Sequence, residues 1–482
     1  MFNKHEDEMS RSDETVGCSA TAGGCDVDSN ASALQNLLVY QLMGIAAYAR
    51  RARALGTADI SADRFIIHAL SITVTRRHYD ADGVVRLLQE AAQVHRRVKT
   101  IYEQTAWVKG TTIERPGGPA AYTLPADTQA LFDEASAVSV SGFETAGEEL
   151  RGLHSLLLSG LKGVAAHAHH AFKLGKESDE VYKELERLLD YPGSAPTDIE
   201  TMLEKALNVG TLNLMVMELL DEAITGRFGA PKPTRVRVAP VAGKAILVSG
   251  HDMADLAALL EATEDSGIHI YTHGDLLSAH SYPELRKFPH LVGNYGGSWQ
   301  AQQWDFDAFP GPILVDSNCL IEPGESYRER LFTLGRAGRP GIHGIENNDF
   351  SALIEAARIL PGFRETAENL TVTTGFSGDA VQALSGRLTG AIREGAIRHL
   401  FLLGGCNGTS PGHHYYSEFV ECVPRETVIL TLGCIKHRFN GRVSGAIGAI
   451  PRLLDVGQCH DSYSMIKLAV TMTEGLECRL SE

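Results

Sequence analysis

The sequence predicts a multidomain α/β protein in which an N-terminal helical bundle precedes two doubly wound, Rossmann-like parallel-sheet domains. Apolar residues recur at i, i+3, i+4 and i+7 from Leu34 to about Phe228, which is the spacing of amphipathic helices. Beyond that region, short β-branched runs alternate with single helices, as in proteins built on parallel sheets. We therefore expect domains at 1–232, 233–362 and 363–482.

The helical region contains one clear loop, Lys109–Thr123, with ERPGGPAAY at its centre. Two helix starts are marked by residues that can satisfy free backbone N–H groups. Thr197 with Glu200 three residues later has the spacing of a capping box, and Ser178 precedes an acidic first turn. We expect two groups of helices joined by the loop.

In the remainder of the chain, strand-like runs and helices alternate in two series. The first series contains AILVSG, IHIYTHG and GPILVDSN, and the second contains TVTTGF, HLFLLGG and TVILTLG. The change from one series to the next falls near Pro361–Gly362. Each series predicts one parallel sheet with helices on its faces.

Length, charge and hydropathy exclude several classes of protein. The chain has 482 residues, 44% of them hydrophobic, which is enough to bury a substantial core. Its formal net charge of −16 opposes general binding to nucleic acid or to anionic lipid. Because no secretory signal and no long uncharged apolar run is found, we expect a cytoplasmic protein without a membrane-spanning helix.

Chemically reactive side chains follow most of the predicted parallel strands. The candidates of this kind are His251, Asp275, Cys319, Cys406 and Cys434, and Cys459 lies in another loop that leads into a helix. Open α/β sheets bind ligands at the carboxyl ends of their strands, so we expect these side chains to converge on one cavity. Thiolates together with imidazole and carboxylate favour an iron–sulfur site with mixed ligands.

Two alternatives stay open at this point. Zinc is the other candidate metal, but the sequence has no CxxC pair, so only a site assembled in three dimensions would hold it. A single cysteine after a strand is also commonly a small buried hydrophobic residue. For Cys422, within an amphipathic helix, and Cys478, near the polar tail, a core or surface position without a ligand role is the simpler interpretation.

Longer motifs around the candidate ligands carry a family resemblance. They include GHDMADLAALLEATE, YTHGDLLSAHSYPEL, PHLVGNYGGSW, GGCNG, TVILTLGC and LLDVGQCHDSYS. From about Leu34 to Met472 the chain strongly resembles the hybrid cluster proteins, also called hydroxylamine reductases. The resemblance implies a helical domain followed by two α/β domains, with a hybrid iron–sulfur–oxo cluster at the domain junction.

The resemblance also implies roles for individual residues. Asp275 stands where the family has a glutamate ligand, and Cys406 falls on the family's persulfide-bearing cysteine. Independently of the resemblance, the reaction needs a proton donor, for which His273, beside Asp275, is the candidate; a structural loop histidine is the alternative interpretation. The residues that match the family's histidine and cysteine ligands by motif are His251, Cys319, Cys406, Cys434 and Cys459.

Two departures from the family pattern concern the ends of the sequence. The family begins with a CxxC pair and two further cysteines that hold a proximal [4Fe–4S] or [2Fe–2S] cluster. Here Cys18 and Cys25 resemble the second pair, and MFNKHE replaces the first. The family also continues beyond the position of Glu482 through a segment with a final glutamate ligand. We expect either a shortened gene product or a divergent member.

The expected activity follows from the resemblance. It is reduction of hydroxylamine to ammonia, or of a related nitrogen oxide such as nitric oxide, with electrons from a donor protein that the sequence does not identify. The alternative is a degenerate member that acts as a non-catalytic cluster-binding scaffold or nitrosative-stress sensor. An enzyme acting on carbon monoxide is a third option, which the HLFLLGGC, NYGGSW and GQC motifs disfavour. We expect neither nucleic acid nor a membrane as a partner.

Overall fold

The structure is a computed structural model, and its contacts divide the chain into two compact units. The helical unit ends at Ala223 and the α/β unit begins at Ile224. The predicted order of a helical region followed by parallel-sheet α/β structure is confirmed. The described residues are 29–74, 81–125, 127–137, 147–194, 196–316, 320–334, 341–405 and 415–479.

Long amphipathic helices form the helical unit. In the described ranges they are α1 Ser29–Ala54, α2 Ile60–Ile72, α3 Ala81–Val108, α4 Thr128–Ala137, α5 Glu148–Lys173, α6 Asp179–Gly193 and α7 Ile199–Phe228. Helix α1 is central, because it packs on α3 and α6 and fully buries Leu34, Leu38 and Leu42. Among the helices in the described part of the chain, none is long and apolar enough to cross a membrane.

The two predicted helix starts have different outcomes. Ser178 is the residue before α6, although its side chain makes no capping hydrogen bond within the described region. Helix α7 begins at Ile199, and the residue that caps it is Asp198, whose Oδ2 accepts from the Thr201 backbone N–H at 2.9 Å. The predicted cap at Thr197 is therefore wrong by one residue, because a carboxylate one position later satisfies the same backbone group.

The predicted loop between α3 and α4 contains the short 3₁₀ helix Gly118–Ala121, which packs directly on α1. Gly44 of α1 makes this approach feasible. A Cβ atom at Gly44 would lie 2.3 Å from the carbonyl oxygen of Pro119. The contact is between two backbones, so neither side can move away cheaply.

We expect Gly44→Ala to lower the free energy of unfolding by about 1–3 kcal/mol, because the added methyl overlaps the Pro119 carbonyl. Gly152→Ala in α5 is the matched control, since its Cβ would meet nothing within 4 Å. That change should stabilise the protein by about 0.5–1 kcal/mol through helix propensity. Urea unfolding followed by circular dichroism measures both effects, and equal changes in the two variants would contradict the close contact.

A buried ionic cluster joins three helices of the helical unit. Arg53 Nη2 lies 2.6 Å from Asp63 Oδ2, and Arg53 Nε donates to Glu186 Oε2 at 3.1 Å. Arg53 also contacts Asp179 at the start of α6. Burial raises the pKa of Glu186 to about 8, and the neighbouring Asp63 carboxylate adds to the rise. The two buried carboxyl groups therefore hold one proton near neutral pH.

This proton makes stability depend on pH in a defined direction. Because the folded-state pKa of Glu186 lies above its ordinary value of 4.5, the stabilisation is complete at low pH and is lost as pH rises through about 8. We expect the free energy of unfolding to fall from about pH 5 to about pH 9. Glu186→Gln, which cannot ionise, should flatten this slope, whereas Glu184→Gln on the same helix should keep it. A wild-type free energy that does not change over this range would refute the shared proton.

The α/β unit contains two parallel sheets. The strands of the first are β2 Lys244–Ser249, β3 Ile268–His273, β4 Leu291–Asn294, β5 Ile313–Val315, β6 Leu331–Leu334 and β7 His343–Ile345, in the order β4-β3-β2-β5-β6-β7. Those of the second are β9 His399–Gly404, β10 Thr427–Leu432 and β13 Leu453–Gly457, in the order β13-β10-β9. The division of this unit into domains near Pro361–Gly362 stays a prediction.

Between β6 and β7 no helix is present among the described residues, but helices separate the other consecutive strands of both sheets, as the alternating pattern predicts. They are α8 Met253–Ala262, α9 Pro283–Arg286, α10 Gln302–Ala308, α11 Glu325–Arg328, α12 Ser351–Ile359, α13 Asp379–Gln382, α14 Ser385–Arg393, α15 Tyr415–Cys422, α16 Lys436–Phe439 and α17 Ser462–Leu476. The minor strands β11 Ala446–Ile447 and β12 Ile450–Pro451 form a small hairpin.

One strand of the second predicted series lies elsewhere. TVTTGF forms β8, Thr371–Thr374, which pairs antiparallel with β1, Thr234–Arg237, instead of joining the three-stranded sheet. Its end still reaches that sheet, since the backbone N–H groups of Gly375 and Phe376 donate to the carbonyl of Asp455. The local pattern predicted a strand correctly but could not reveal a partner far earlier in the chain.

Candidate metal centre

Four of the six predicted ligands lie in the described ranges, and each follows a parallel strand. They are His251 after β2, Asp275 after β3, Cys434 after β10 and Cys459 after β13. The strand before Cys459 is not predicted from the sequence. Cys319 and Cys406 follow β5 and β9 but lie outside the described residues, as do Cys18 and Cys25.

The loops after the three strands of the smaller sheet are joined by backbone hydrogen bonds. Gly433 N donates to the carbonyl of Gly457 at 2.9 Å, and Ile435 N donates to that of Gly405 at 3.1 Å. Gly433 has a positive φ of 71°, and a Cβ there would lie 2.9 Å from Cys459 Sγ. The Cys459 thiol therefore rests against the backbone just before the buried Cys434.

The loop that carries His251 is fixed from two sides. Its backbone N–H donates to Asp316 Oδ1 at 3.0 Å, and its carbonyl accepts from Gln458 Nε2 at 3.2 Å. Burial raises the pKa of Asp316 well above its usual range, and nearby aspartates add to the rise. A Cβ at Gly250 would lie 1.5 Å from Asp316 Oδ1, so this contact requires glycine. The Gln458 bond links the His251 loop to the loop that carries Cys459.

Asp275 is buried and presents its two oxygens to different partners. Oδ2 lies 4.0 Å from His251 Nε2, and Oδ1 lies 3.1 Å from the ammonium of Lys436. Oδ2 has no hydrogen-bond donor among the described residues. A buried carboxylate oxygen without a donor carries a desolvation cost, which a metal ion would remove.

Lys436 is the residue of this site that the sequence reasoning missed. Its side chain is fully buried, donates to the Gly457 carbonyl at 2.9 Å and lies 3.5 Å from Asp455 Oδ1. Burial alone would lower the pKa of Lys436, but the Asp455 and Asp275 charges outweigh burial and raise it. The ammonium stays charged, and it ties the loop after β3 to strand β13.

His437 adds a second link between the same loops. Its Nε2 lies 3.1 Å from the carbonyl of Gly274, to which it donates in the neutral form. Burial, reinforced by the Lys436 charge, lowers the pKa of His437 to about 4. The sequence signal was CIKHRFN after Cys434, where three basic residues follow a candidate ligand, but this pattern does not by itself indicate burial.

His273, the predicted proton donor, is fully buried and lies at the end of β3. Its Nδ1 is 2.9 Å from Ser249 Oγ, and its Nε2 is 3.2 Å from Asp305 Oδ2. Asp305 also accepts from the Gly297 backbone N–H at 2.8 Å and exposes 22% of its side chain. Both nitrogens of His273 are therefore engaged, in a hydrogen-bonded path from a partly exposed carboxylate to the end of β2.

The donor types at this site fit a thiolate-bound metal cluster with harder ligands beside it. The described part of the site offers two thiols, an imidazole and a carboxylate oxygen without a donor, all from strand ends. Within the same described residues, no three His, Cys, Asp or Glu side chains group closely enough to hold a single metal ion.

Comparison with known proteins begins with family models. The model described as the Prismane/CO dehydrogenase family matches residues 12–482, which is nearly the whole chain. The chain belongs to this family. The resemblance that the strand-end motifs indicate is thereby confirmed.

Curated relatives within the family are similar over the full chain. Proteins named hydroxylamine reductase from Burkholderia lata, Acidiphilium cryptum and Acidithiobacillus ferrooxidans are 50%, 48% and 46% identical. The alignments cover 100%, 99% and 100% of this chain and 87%, 86% and 87% of the relatives. The predicted oxidoreductase class is confirmed by these relatives.

A solved structure shares the fold of this chain. It is the alpha subunit of acetyl-CoA synthase/carbon monoxide dehydrogenase, solved with NiZn[Fe4S4] and NiNi[Fe4S4] clusters. The TM-score is 0.51 at 14% identity, and the alignment covers 96% of this chain and 73% of that subunit. At this identity the likeness concerns the fold alone.

Removing the buried cation should strongly destabilise the metal-free protein. Lys436→Met leaves Asp275 and Asp455 buried without their shared ammonium, so we expect a loss of about 3–5 kcal/mol in the free energy of unfolding. Adding Asp455→Asn should restore part of that loss, because it removes one of the two unpaired charges. The control is Lys467→Met, which changes an exposed lysine of α17 and should alter the free energy of unfolding by less than about 0.5 kcal/mol. If Lys436→Met unfolds at the same urea concentration as wild type, these ion pairs contribute nothing to the free energy of unfolding.

Proposed function

We propose that this chain reduces hydroxylamine to ammonia on a hybrid iron–sulfur–oxo cluster. The observation that carries the proposal is the similarity, over the whole chain, to relatives named hydroxylamine reductase. The reaction takes up two electrons and two protons and releases ammonia and water. Nitric oxide or another small nitrogen oxide is a related substrate within the same proposal.

The proposed cluster ligands are the side chains that follow the parallel strands, namely His251, Asp275, Cys319, Cys406, Cys434 and Cys459. When bound, the cluster supplies electrons and a Lewis-acidic position for the N–O group. Burial of Cys434 and Asp275 supports this assignment, since both present donor atoms away from solvent. Cys406 is the proposed reactive sulfur, by its match to the persulfide position of the family.

The chain's own residues then orient the ligands and deliver protons. The Asp316 and Gln458 contacts hold the His251 loop in place, and Lys436 holds Asp275. We assign His273 the role of a proton relay between Asp305 and Ser249, which the two hydrogen-bond distances of 3.2 and 2.9 Å support. A relay of this kind passes a proton on one ring nitrogen while releasing one from the other.

Electrons would come from a donor protein that the sequence does not identify. Cys18 and Cys25 match only the second pair of the family's proximal-cluster cysteines, and two ligands without a first pair do not fix a cluster firmly. Cys18→Ser/Cys25→Ser should therefore retain most of the bound iron and sulfide, and a loss of about half would show that a proximal cluster persists with substitute ligands.

The test compares two cysteine substitutions of the same kind. Cys459→Ser removes a proposed ligand and should lower both iron content and hydroxylamine reduction with an artificial electron donor, the latter by at least about tenfold. Cys422→Ser changes an exposed thiol on α15 and should leave both unchanged. Iron, acid-labile sulfide and ammonia are measured on protein purified without oxygen.

Three outcomes would count against the reductase. Wild-type protein that binds no iron after anaerobic reconstitution would show that the proposed cofactor is wrong. Equal turnover in wild type and Cys459→Ser would show that the proposed site is wrong. Bound iron without any turnover would leave the cluster-binding scaffold or sensor as the better description.

A further inference from the structure

A second cavity lies wholly within the helical unit, apart from the residues of the candidate metal centre. Its volume is about 670 Å³. The walls come from α1, from the loop 116–120 and from the end of α6. Pockets of this size are typical of small-molecule sites.

The lining of this cavity is rich in cations, although the chain as a whole has a net charge of −16. Arg50, Arg51, Arg187 and Lys205 all line it, and Asp190 is the one carboxylate among the described lining residues. Asp190 Oδ2 accepts from Arg50 Nε at 2.8 Å and lies 3.5 Å from Arg51 Nη1. This single carboxylate therefore fixes two guanidinium groups side by side.

The other carboxylates that contact these cations lie outside the cavity lining. Arg51 Nη1 also donates to the Ala47 carbonyl at 2.8 Å, so its position does not depend on such a pair. The three partners, paired at 2.7 to 3.0 Å with Arg51, Arg187 and Lys205, are Glu114, Glu184 and Glu204. Two of them expose 64% and 63% of their side chains, and exposed pairs of this kind contribute little to stability. An anion in the cavity can replace these carboxylates at small cost.

The C-terminal end of α6 disfavours anion binding in the cavity, but only weakly. The last carbonyl groups of a helix carry about half a negative charge together. Four full positive charges outweigh that contribution. A purely structural explanation, in which Lys205 only neutralises this helix end, would not account for Arg50 and Arg51 on a different helix.

Close contacts at two glycines join the walls of the cavity. A Cβ at Gly193 would lie 3.1 Å from Pro119 Cγ, and Gly118, with a φ of 58°, would bring its Cβ within 3.1 Å of the Gly193 carbonyl oxygen. The loop and the two helices are thus in contact before any ligand arrives. A site whose cations are already positioned loses less entropy on binding.

We propose that this cavity binds a small polyanion that carries phosphate groups. Guanidinium groups match phosphate oxygens with two parallel hydrogen bonds, and a lysine adds a flexible point charge. Arg50 and Arg51, aligned by Asp190, supply the paired donors, and Arg187 of α6 and Lys205 of α7 supply further positive charge to the lining. This site is independent of the proposed reductase activity.

The test uses inorganic pyrophosphate as the probe and isothermal titration calorimetry as the measurement, on the full chain. Wild-type protein should bind one pyrophosphate with a dissociation constant below about 1 mM. Arg187→Gln/Lys205→Gln should weaken binding at least about tenfold, because it removes two of the four lining cations. The matched control is Lys176→Gln/Lys183→Gln, which removes two exposed lysines outside the cavity and should bind as wild type does.

Each outcome decides the proposal. Absence of pyrophosphate binding to wild type, or equal weakening in both double variants, would overturn it, because the second result reflects net charge alone. Citrate, a polyanion without phosphate, is the competing probe: binding tighter than that of pyrophosphate would overturn the phosphate assignment. Thermal unfolding of both variants, expected within a few degrees of wild type, shows that each remains folded.

Discussion

The arrangement of the candidate metal centre depends on one buried cation. The Lys436 ammonium lies among oxygens of Asp275, Asp455 and Gly457, which come from the loop after β3 and from β13. A charge without solvent is tolerated only when it is paired and hydrogen-bonded. The same cation therefore positions a proposed ligand and joins an edge of the six-stranded sheet to the three-stranded one.

Close backbone approach is the second constraint on the site. Gly433 and Gly250 stand where any side chain would overlap Cys459 or Asp316. Both glycines directly precede a proposed ligand, Cys434 in one case and His251 in the other. The ligand positions thus depend on residues that have no donor atoms in their side chains, and a change at either glycine would displace a ligand without altering its chemistry.

The sequence predicts what is local and misses what is not. His251 and Cys434 could be placed at strand ends, because strand periodicity and the turn after it lie within a few residues. The burial of Lys436 could not be predicted, since a lysine beside HRF has the pattern of an exposed turn and its carboxylate partners come from other strands. The antiparallel pairing of TVTTGF could not be predicted for the same reason, because its partner, β1, is distant in sequence.

The two oxygens of Asp275 have different surroundings. Lys436 faces Oδ1, while Oδ2, beside His251, has no donor among the described residues. An unsatisfied buried acceptor costs about 1–3 kcal/mol. A metal bound by Oδ2 and His251 would recover that cost, and the ammonium would keep Oδ1 from turning toward the same ion. Metal binding would then add to folding stability, as expected when a protein keeps a buried donor atom for a ligand.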